Sequence, residues 1–431
     1  TPDACFVHGA THALRMWVSG QANVRQGMSV RSPAPLPLLE STHRPNVLLI
    51  LTESVRADAS CSDPPPMCHA PFFDAVVPDR VALGKLTSQT PNTFSACMIL
   101  WTGLGPDVDF RTAHSAPVLW EIARGVGYRT AYVTSQNPNY EDFGTFVRRA
   151  GIDVLVTGTD LAGMNQEQLG APDERATAEM LRFVRSVPDG APYFAVLHLS
   201  NTHAPYRVDP AVEPYSPHSM DPLGDAVAFR NHYRNSVALQ ERTVSAFLRD
   251  VRELPTWDST VVVFLSDHGE QFREHGGLYH NHSLFDEELR VPGWIVAGST
   301  ALTQAQRWAL LTHAGRRTYM QDAHETVVDL FGVEEQRASL PFAEHVTGRS
   351  LLRERPLGPG PTVLLGTATS VWEPDDARFG ATLDERALIG APGAWSCFDT
   401  AHDPRERSPL PARLCDDLRP AISPKFVGEN P

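Results

Sequence analysis

The stretch VVFLSDHGE, residues 262–270, runs four apolar residues straight into Ser266, Asp267, His268, Gly269 and Glu270. A short β-rich run without alternation is the pattern of a strand covered on both faces. Its polar end either caps the next element or presents ligands. Five further runs share the pattern: NVLLIL (46–51), TAYVT (130–134), IDVLV (152–156), YFAVLHL (193–199) and WIVAG (294–298). Helical patterns lie between them in VLWEIARGVG (118–127), ERATAEMLRFVRSV (174–187), residues 230–254 and QDAHETVVDLFG (321–332). This alternation predicts an α/β fold, a central and mostly parallel sheet sandwiched by helices.

The rest of the chain bounds that reading. Residues 1–45 are irregular and include the proline-rich SPAPLPLLESTHRP (32–45), an N-terminal lead-in or linker. The main domain is expected over 46–355, and beyond it the pattern loosens into short strands and loops, a small C-terminal subdomain over 356–431. With 431 residues and 42% hydrophobic content the chain can bury a large core. Its 37 basic and 51 acidic residues give a net charge of −14 with no dense basic run, which excludes an electrostatic footprint for nucleic acid. No apolar run reaches the roughly 18 residues of a membrane span. The pairs Cys61/Cys68 and Cys397/Cys415 each bracket a short polar or proline-rich segment, and no CxxC occurs. Two disulfides in an oxidising compartment are therefore expected rather than a structural zinc site.

Functional side chains in open α/β sheets collect beyond the carboxyl ends of strands. NVLLIL is followed by Thr52 and Glu53, VVVFL by Ser266, Asp267 and His268, and YFAVLHL by Ser200, Asn201, Thr202 and His203. One such end is an ordinary helix cap; three point to a site. Glu53, Asp267 and His268 form a mixed oxygen and nitrogen donor set suited to a divalent cation. In TSQTPNTFSACMILWTG (87–103) the hydroxyls of Thr87, Ser88, Thr90, Thr93 and Ser95 cluster where a helical pattern opens at Phe94. An anion is well received at a helix start, and an activated threonine there could attack phosphorus or sulfur.

The sequence resembles the alkaline phosphatase/sulfatase superfamily in NVLLILTESVRAD (46–58), NTFSACMILWTG (92–103), NTHAPY (201–206), STVVVFLSDHGEQFREHG (259–276) and HSLFDEELRVP (282–292). GRSLL (348–352) and CFDTAHDPRERSPL (397–410) resemble the segments that close sulfatase-type chains, so the likeness covers about residues 46–410. The resemblance implies a sulfatase-like catalytic domain whose cation is held by Glu53, Thr93, Asp267 and His268. It implies one divalent metal, zinc or manganese, with calcium or magnesium as alternatives. It places the nucleophile at Thr93, ten residues before Gly103, where sulfatases carry the Cys or Ser that becomes formylglycine. Thr cannot be so converted. Thr followed by Phe resembles nucleotide phosphodiesterases, and Glu53 within TESVRAD resembles phosphoethanolamine and phosphoglycerol transferases, which pass through a phosphothreonine.

Rival nucleophiles are Thr90 and Cys97, the latter lacking the Pro and Arg of the formylglycine motif. His203 corresponds to a substrate-side or second-metal histidine, and either His280 or His282 to the residue that contacts the transferred group. His275 reads as structural, Arg56 as an ion-pair partner, and HETVV (324–328) lacks the second His of a zinc-protease helix. The implied activity is a metal-dependent phosphoryl transferase or phosphodiesterase acting outside the cytoplasm, periplasmic or at the cell surface. Its substrate would be a phosphate or sulfate ester, of phospholipid or cell-envelope glycan type, with a membrane anchor upstream of this chain. The alternatives are a sulfuric ester hydrolase and a non-catalytic binding protein that kept the fold.

Overall fold

A computed structural model describes residues 31–41, 43–60, 71–137, 143–162, 170–354, 363–366, 378–391 and 394–422. Its centre is a seven-stranded sheet. We number its strands in chain order: β1 (Asn46–Thr52), β2 (Val81–Ala82), β3 (Arg129–Thr134), β4 (Val154–Val156), β5 (Tyr193–Leu199), β6 (Thr260–Ser266) and β7 (Gly293–Ala297). They lie in the order β2-β7-β6-β1-β5-β3-β4. β1 pairs in parallel with both β5 and β6, β3 pairs in parallel with β4 and β5, and β7 runs antiparallel to β6 and β2.

Every residue of β1, β5 and β6 is buried, as their unbroken apolar runs require. Side chains alternate between the two faces of a strand, and each set has its own layer of helices. Val47, Leu49 and Leu51 join Val261, Val263 and Leu265 in a core with helices α1 (Thr93–Thr102), α2 (Leu119–Gly125) and α5 (Met320–Leu330). Leu48 and Ile50 join Val262 and Phe264 in a second core with α3 (Asp173–Ser186) and α4 (Ala226–Arg252). The expected doubly covered sheet is thus present, with one antiparallel strand, β7, next to its edge.

Two boundaries differ from the pattern for local reasons. α4 begins at Ala226 rather than near 230 because Asp225 caps it, accepting from the Ala228 amide at 2.7 Å. β4 begins only at Val154, because the Asp153 carboxylate accepts from the Thr130 amide at 2.8 Å and so occupies the position a strand partner would take.

α1 is buried over all ten residues, so its ends need internal partners. Asn92 caps the start, accepting from the Ser95 amide at 3.1 Å, and Gly103 closes the end with φ 73°. A Cβ on Gly103 would also lie 2.6 Å from the His324 ring, so two constraints fix glycine there. His324, from HETVV, approaches Leu100 O through Nδ1 at 2.9 Å and is a packing residue beneath α1.

Residues 31–41 and 43–45, read from sequence as part of a lead-in, lie against this body from Arg31 onward. Arg31 is buried, pairs with Glu121 and sits 4.8 Å over the Phe146 ring, and Leu39 enters the first core. The C-terminal subdomain is a four-stranded antiparallel sheet, β8 (Val363–Gly366), β9 (Phe379–Leu383), β10 (Arg386–Ala391) and β11 (Ala394–Asp399), in sequential order. Cys397 and Cys415 are disulfide-bonded, tying β11 to the last helical turn. The Cys61/Cys68 pair lies outside the described residues.

Candidate active site

The sheet order explains why residues far apart in sequence meet. β1 lies between β5 and β6, with Thr52 opposite both Leu199 and Ser266. Glu53, Ser200 and Asp267 therefore leave the sheet side by side at its carboxyl edge. Glu53, Asp267 and His268 are fully buried there, and Thr93 is nearly so.

Thr93 is the first residue of α1. Its hydroxyl donates to Glu53 Oε1 at 3.0 Å and lies 3.2 Å from His268 Nε2. His268 Nε2 is in turn 3.3 Å from Glu53 Oε1 and 3.4 Å from Asp267 Oδ2. His268 Nδ1 faces Gly269 O at 2.9 Å, which turns Nε2 into the cluster. Asp267 is fixed by its other oxygen, which accepts from the amides of Ser54 at 2.9 Å and His268 at 2.7 Å. Ser54 reaches it by taking a left-handed conformation, φ 56°, a strain of order 1 kcal/mol that such a site sustains.

The glycine of SDHG is required by close packing rather than by a turn. Gly269 is not left-handed; a Cβ there would lie 2.3 Å from Glu287 O. The backbone of residues 287–288 comes close enough to bond it, through Gly269 N to Glu288 O at 2.7 Å and Glu270 N to Glu287 O at 2.8 Å.

Burial alone would raise the Glu53 carboxyl, but the hydrogen bond and charge of His268 hold it well below the usual range. Burial and then the Glu53 charge push Asp267 well above its ordinary range. Burial opposes a charged His268, yet Asp267 and Glu53 raise it to about 10. Two carboxyl groups and an imidazole thus converge on one point, each shifting the others. Asp267 Oδ2, buried, has no hydrogen-bond partner among the described residues, an orphan that native proteins rarely keep without a ligand. A divalent cation fits this donor set. Donor atoms of Glu53, His198 and Asp267 lie within 4.8 Å of one another, as do those of Glu53, His203 and His280.

The outer part of the site rests on loops. His203 Nδ1 faces Ala204 O at 2.7 Å. His280 approaches His268 with ring centroids 4.4 Å apart and His203 with 5.6 Å. His282, two residues on, is exposed and its amide bonds Glu288 at 3.0 Å. Of the two candidates, His280 is the one gathered against Glu53.

Thr90 is fully buried and Ser88 Oγ donates to its carbonyl at 2.8 Å. Cys97 lies inside α1, fully buried, with burial and then the Asp267 and Glu53 charges driving its thiol well above the usual range, the reverse of what a thiolate nucleophile needs. Arg56 forms a buried ion-pair network with Asp58 at 2.8 Å and Glu274 at 2.5 Å. His275 stacks on Phe285 at 3.6 Å and faces Glu287 at 2.5 Å.

Two residues escaped the sequence reading. Gln136, just past β3, donates to Glu53 Oε2. His198, within β5, faces Glu53 Oε2 at 3.9 Å and the Tyr132 hydroxyl at 2.9 Å, and burial lowers it to about 4. A histidine inside the apolar run YFAVLHL was the available signal.

A family model described as Sulfatase matches residues 45–333. The chain belongs to the sulfatase family. This places the chain in the alkaline phosphatase/sulfatase superfamily, with the sheet-edge cluster as its candidate metal site. An ulvan-active sulfatase from Formosa agariphila is 24% identical over 283 residues, 58% of this chain and 55% of that protein. The chain thus spans about half the length of that curated relative. A solved protein of the alkaline phosphatase superfamily from Vibrio parahaemolyticus superposes with TM-score 0.61 at 17% identity, covering 90% of this chain and 88% of that one. The soluble domain of lipooligosaccharide phosphoethanolamine transferase A from Neisseria meningitidis superposes with TM-score 0.57 at 16% identity, covering 75% of this chain and all of that one, 100%. These sulfatase-fold structures share the architecture described above. No helix among the described residues is long and apolar enough to cross a membrane.

Proposed function

We propose that this sulfatase-family chain is a phosphoryl-group transferase or phosphodiesterase that works through a phosphothreonine at Thr93. The observation that carries the reading is the Thr93 hydroxyl, seated at the start of α1 and bonded to Glu53 Oε1 at 3.0 Å, with Cys97 buried deeper in the helix. Threonine forms a phosphate ester directly and cannot become the formylglycine of a sulfatase.

Glu53, Asp267 and His268, with Thr93, would hold a divalent cation, which when bound lowers the hydroxyl pKa and screens an incoming anion. The residues themselves define the first half-reaction. Thr93 Oγ bonds to phosphorus, the ester oxygen leaves with the bonding electrons, and the hydroxyl proton passes to the Glu53 carboxylate that already accepts it. His203 and His280 stand on the outer side, placed to give the departing oxygen its proton and to take one from the incoming alcohol or water. That second attack at phosphorus releases Thr93 and completes the transfer or hydrolysis.

The disulfide Cys397–Cys415 supports an extracytoplasmic site of action. A phosphate-ester head group of a phospholipid or cell-envelope glycan suits such a location. The test compares wild type and Thr93→Ala on an aryl sulfate, a phosphate monoester and a phosphate diester, with mass spectrometry of the Thr93 peptide after substrate is added. A phosphorylated Thr93 and diester turnover lost in Thr93→Ala are expected. Aryl-sulfate turnover that survives Thr93→Ala, or an adduct on Cys97, overturns the proposal.

A further inference from the structure

Glu270 closes the SDHGE stretch and has no part in the proposed reaction, yet it is fully buried at the site. Its two carboxyl oxygens face different loops. Oε1 lies 3.1 Å from His280 Nδ1, and Oε2 accepts from the Tyr206 hydroxyl at 3.1 Å. Tyr206 belongs to the loop of His203, and its amide bonds His203 O at 2.8 Å. The Glu270 backbone is itself held, since Arg56 Nη1 donates to Glu270 O at 3.0 Å and Glu270 N bonds Glu287 O. One side chain on a rigid segment therefore touches both loops that carry the outer histidines.

We propose that Glu270 is the positioning residue of the outer half of the site: it locks the His280 ring with Nε2 turned toward Glu53 and Thr93, and through Tyr206 it sets the His203 loop at the matching distance. An imidazole has two nitrogens, and the partner of one decides what the other offers. A carboxylate behind a functional histidine fixes both tautomer and ring plane, and its loss typically costs about 10–100-fold in function. His280 needs such a partner more than His268 does, because it stands on a loop and is part-exposed, with 16% of its side chain accessible. Tyr206 gives the second contact meaning, because it is the sole described contact that links Glu270 to the His203 loop by a side-chain hydroxyl.

The inference rests on the proposed role of Thr93 and His280, and the experiment separates the two. In the full-length protein labelled with ¹⁵N-histidine, the His280 nitrogens are read by NMR in wild type, Glu270→Ala and Glu270→Gln, with His280→Ala for assignment. A single fixed tautomer is expected in wild type and in Glu270→Gln, which keeps an acceptor and nearly the same volume, and a mixture in Glu270→Ala. Turnover of a phosphate diester is measured alongside. Glu270→Ala should lower kcat/KM by about 10–100-fold, and in the His280→Ala background it should cost clearly less, leaving only the part that acts through Tyr206 on the His203 loop. Additive losses, or a single tautomer preserved in Glu270→Ala, overturn the positioning role. If Thr93→Ala leaves diester turnover unchanged, the reading of the reaction fails while the tautomer result still judges Glu270.

Discussion

The site has two halves built in different ways. Glu53, Asp267 and His268 sit directly past the ends of β1 and β6, and Thr93 begins a wholly buried helix, so their placement follows from sheet pairing and core packing. His203 and His280 ride on irregular loops, part-exposed, and are placed by individual hydrogen bonds to Ala204 O and Glu270. The inner half is as rigid as the core beneath it. The outer half can be retuned by changing a few loop contacts without disturbing the fold, which is how one scaffold comes to serve different esters.

The sharpest way to break this comparison is at Thr93. Thr93→Ala should reduce phosphate-diester turnover by about 10³-fold or more, since a nucleophile has no substitute, while the melting temperature stays close to wild type. His280→Ala should cost about 10²-fold in kcat, in the range of a lost acid–base group, and His282→Ala less than about twofold, because His282 is exposed and is not among the residues gathered against Glu53. Comparable losses for the two histidines would remove the reason for choosing His280.

Stability offers two further tests. His324 under α1 is buried and lowered to about 4, first by desolvation. Its folded pKa lies below the roughly 6.5 of the unfolded chain, so between those values the unfolded state binds the extra proton. Stability should then fall as pH drops from about 6.5 to about 4, by roughly 3 kcal/mol, and level off below. Denaturant titration across that window should show the slope, and His324→Gln should make it shallower, leaving the share of His198, which burial also lowers to about 4. In the C-terminal sheet, Cys397→Ser/Cys415→Ser opens a bridge of sequence separation 18 and should cost about 3 kcal/mol. Leu365, Ala387, Ile389 and Phe398 of that sheet pack against Leu284 and Leu289, so the double variant should also weaken the His280 side of the site before it affects Thr93.

Much of this was legible from the chain. The unbroken runs of β1, β5 and β6 announced strands buried on both faces, because an apolar residue at every position leaves no side for water. Strand ends in such sheets open on a common edge, which made Glu53, Asp267 and His268 candidates, while Thr93 became one through the resemblance. Other features were not legible. His198 looked like an irregularity in YFAVLHL, and Gln136 follows a strand with no distinguishing neighbour, because a contact with Glu53 depends on which strands are adjacent.

Local sequence therefore determined the elements, their layering and the chemical types at the strand ends, since periodicity and apolar content act over a few residues. Tertiary structure alone decided the rest. It set His280 rather than His282 against Glu53, the close approach that makes Gly269 necessary, and the carboxyl group of Glu270 between two loops. Each depends on distances of a few ångströms between segments that share no local pattern, and only the packed sheet order brings them together.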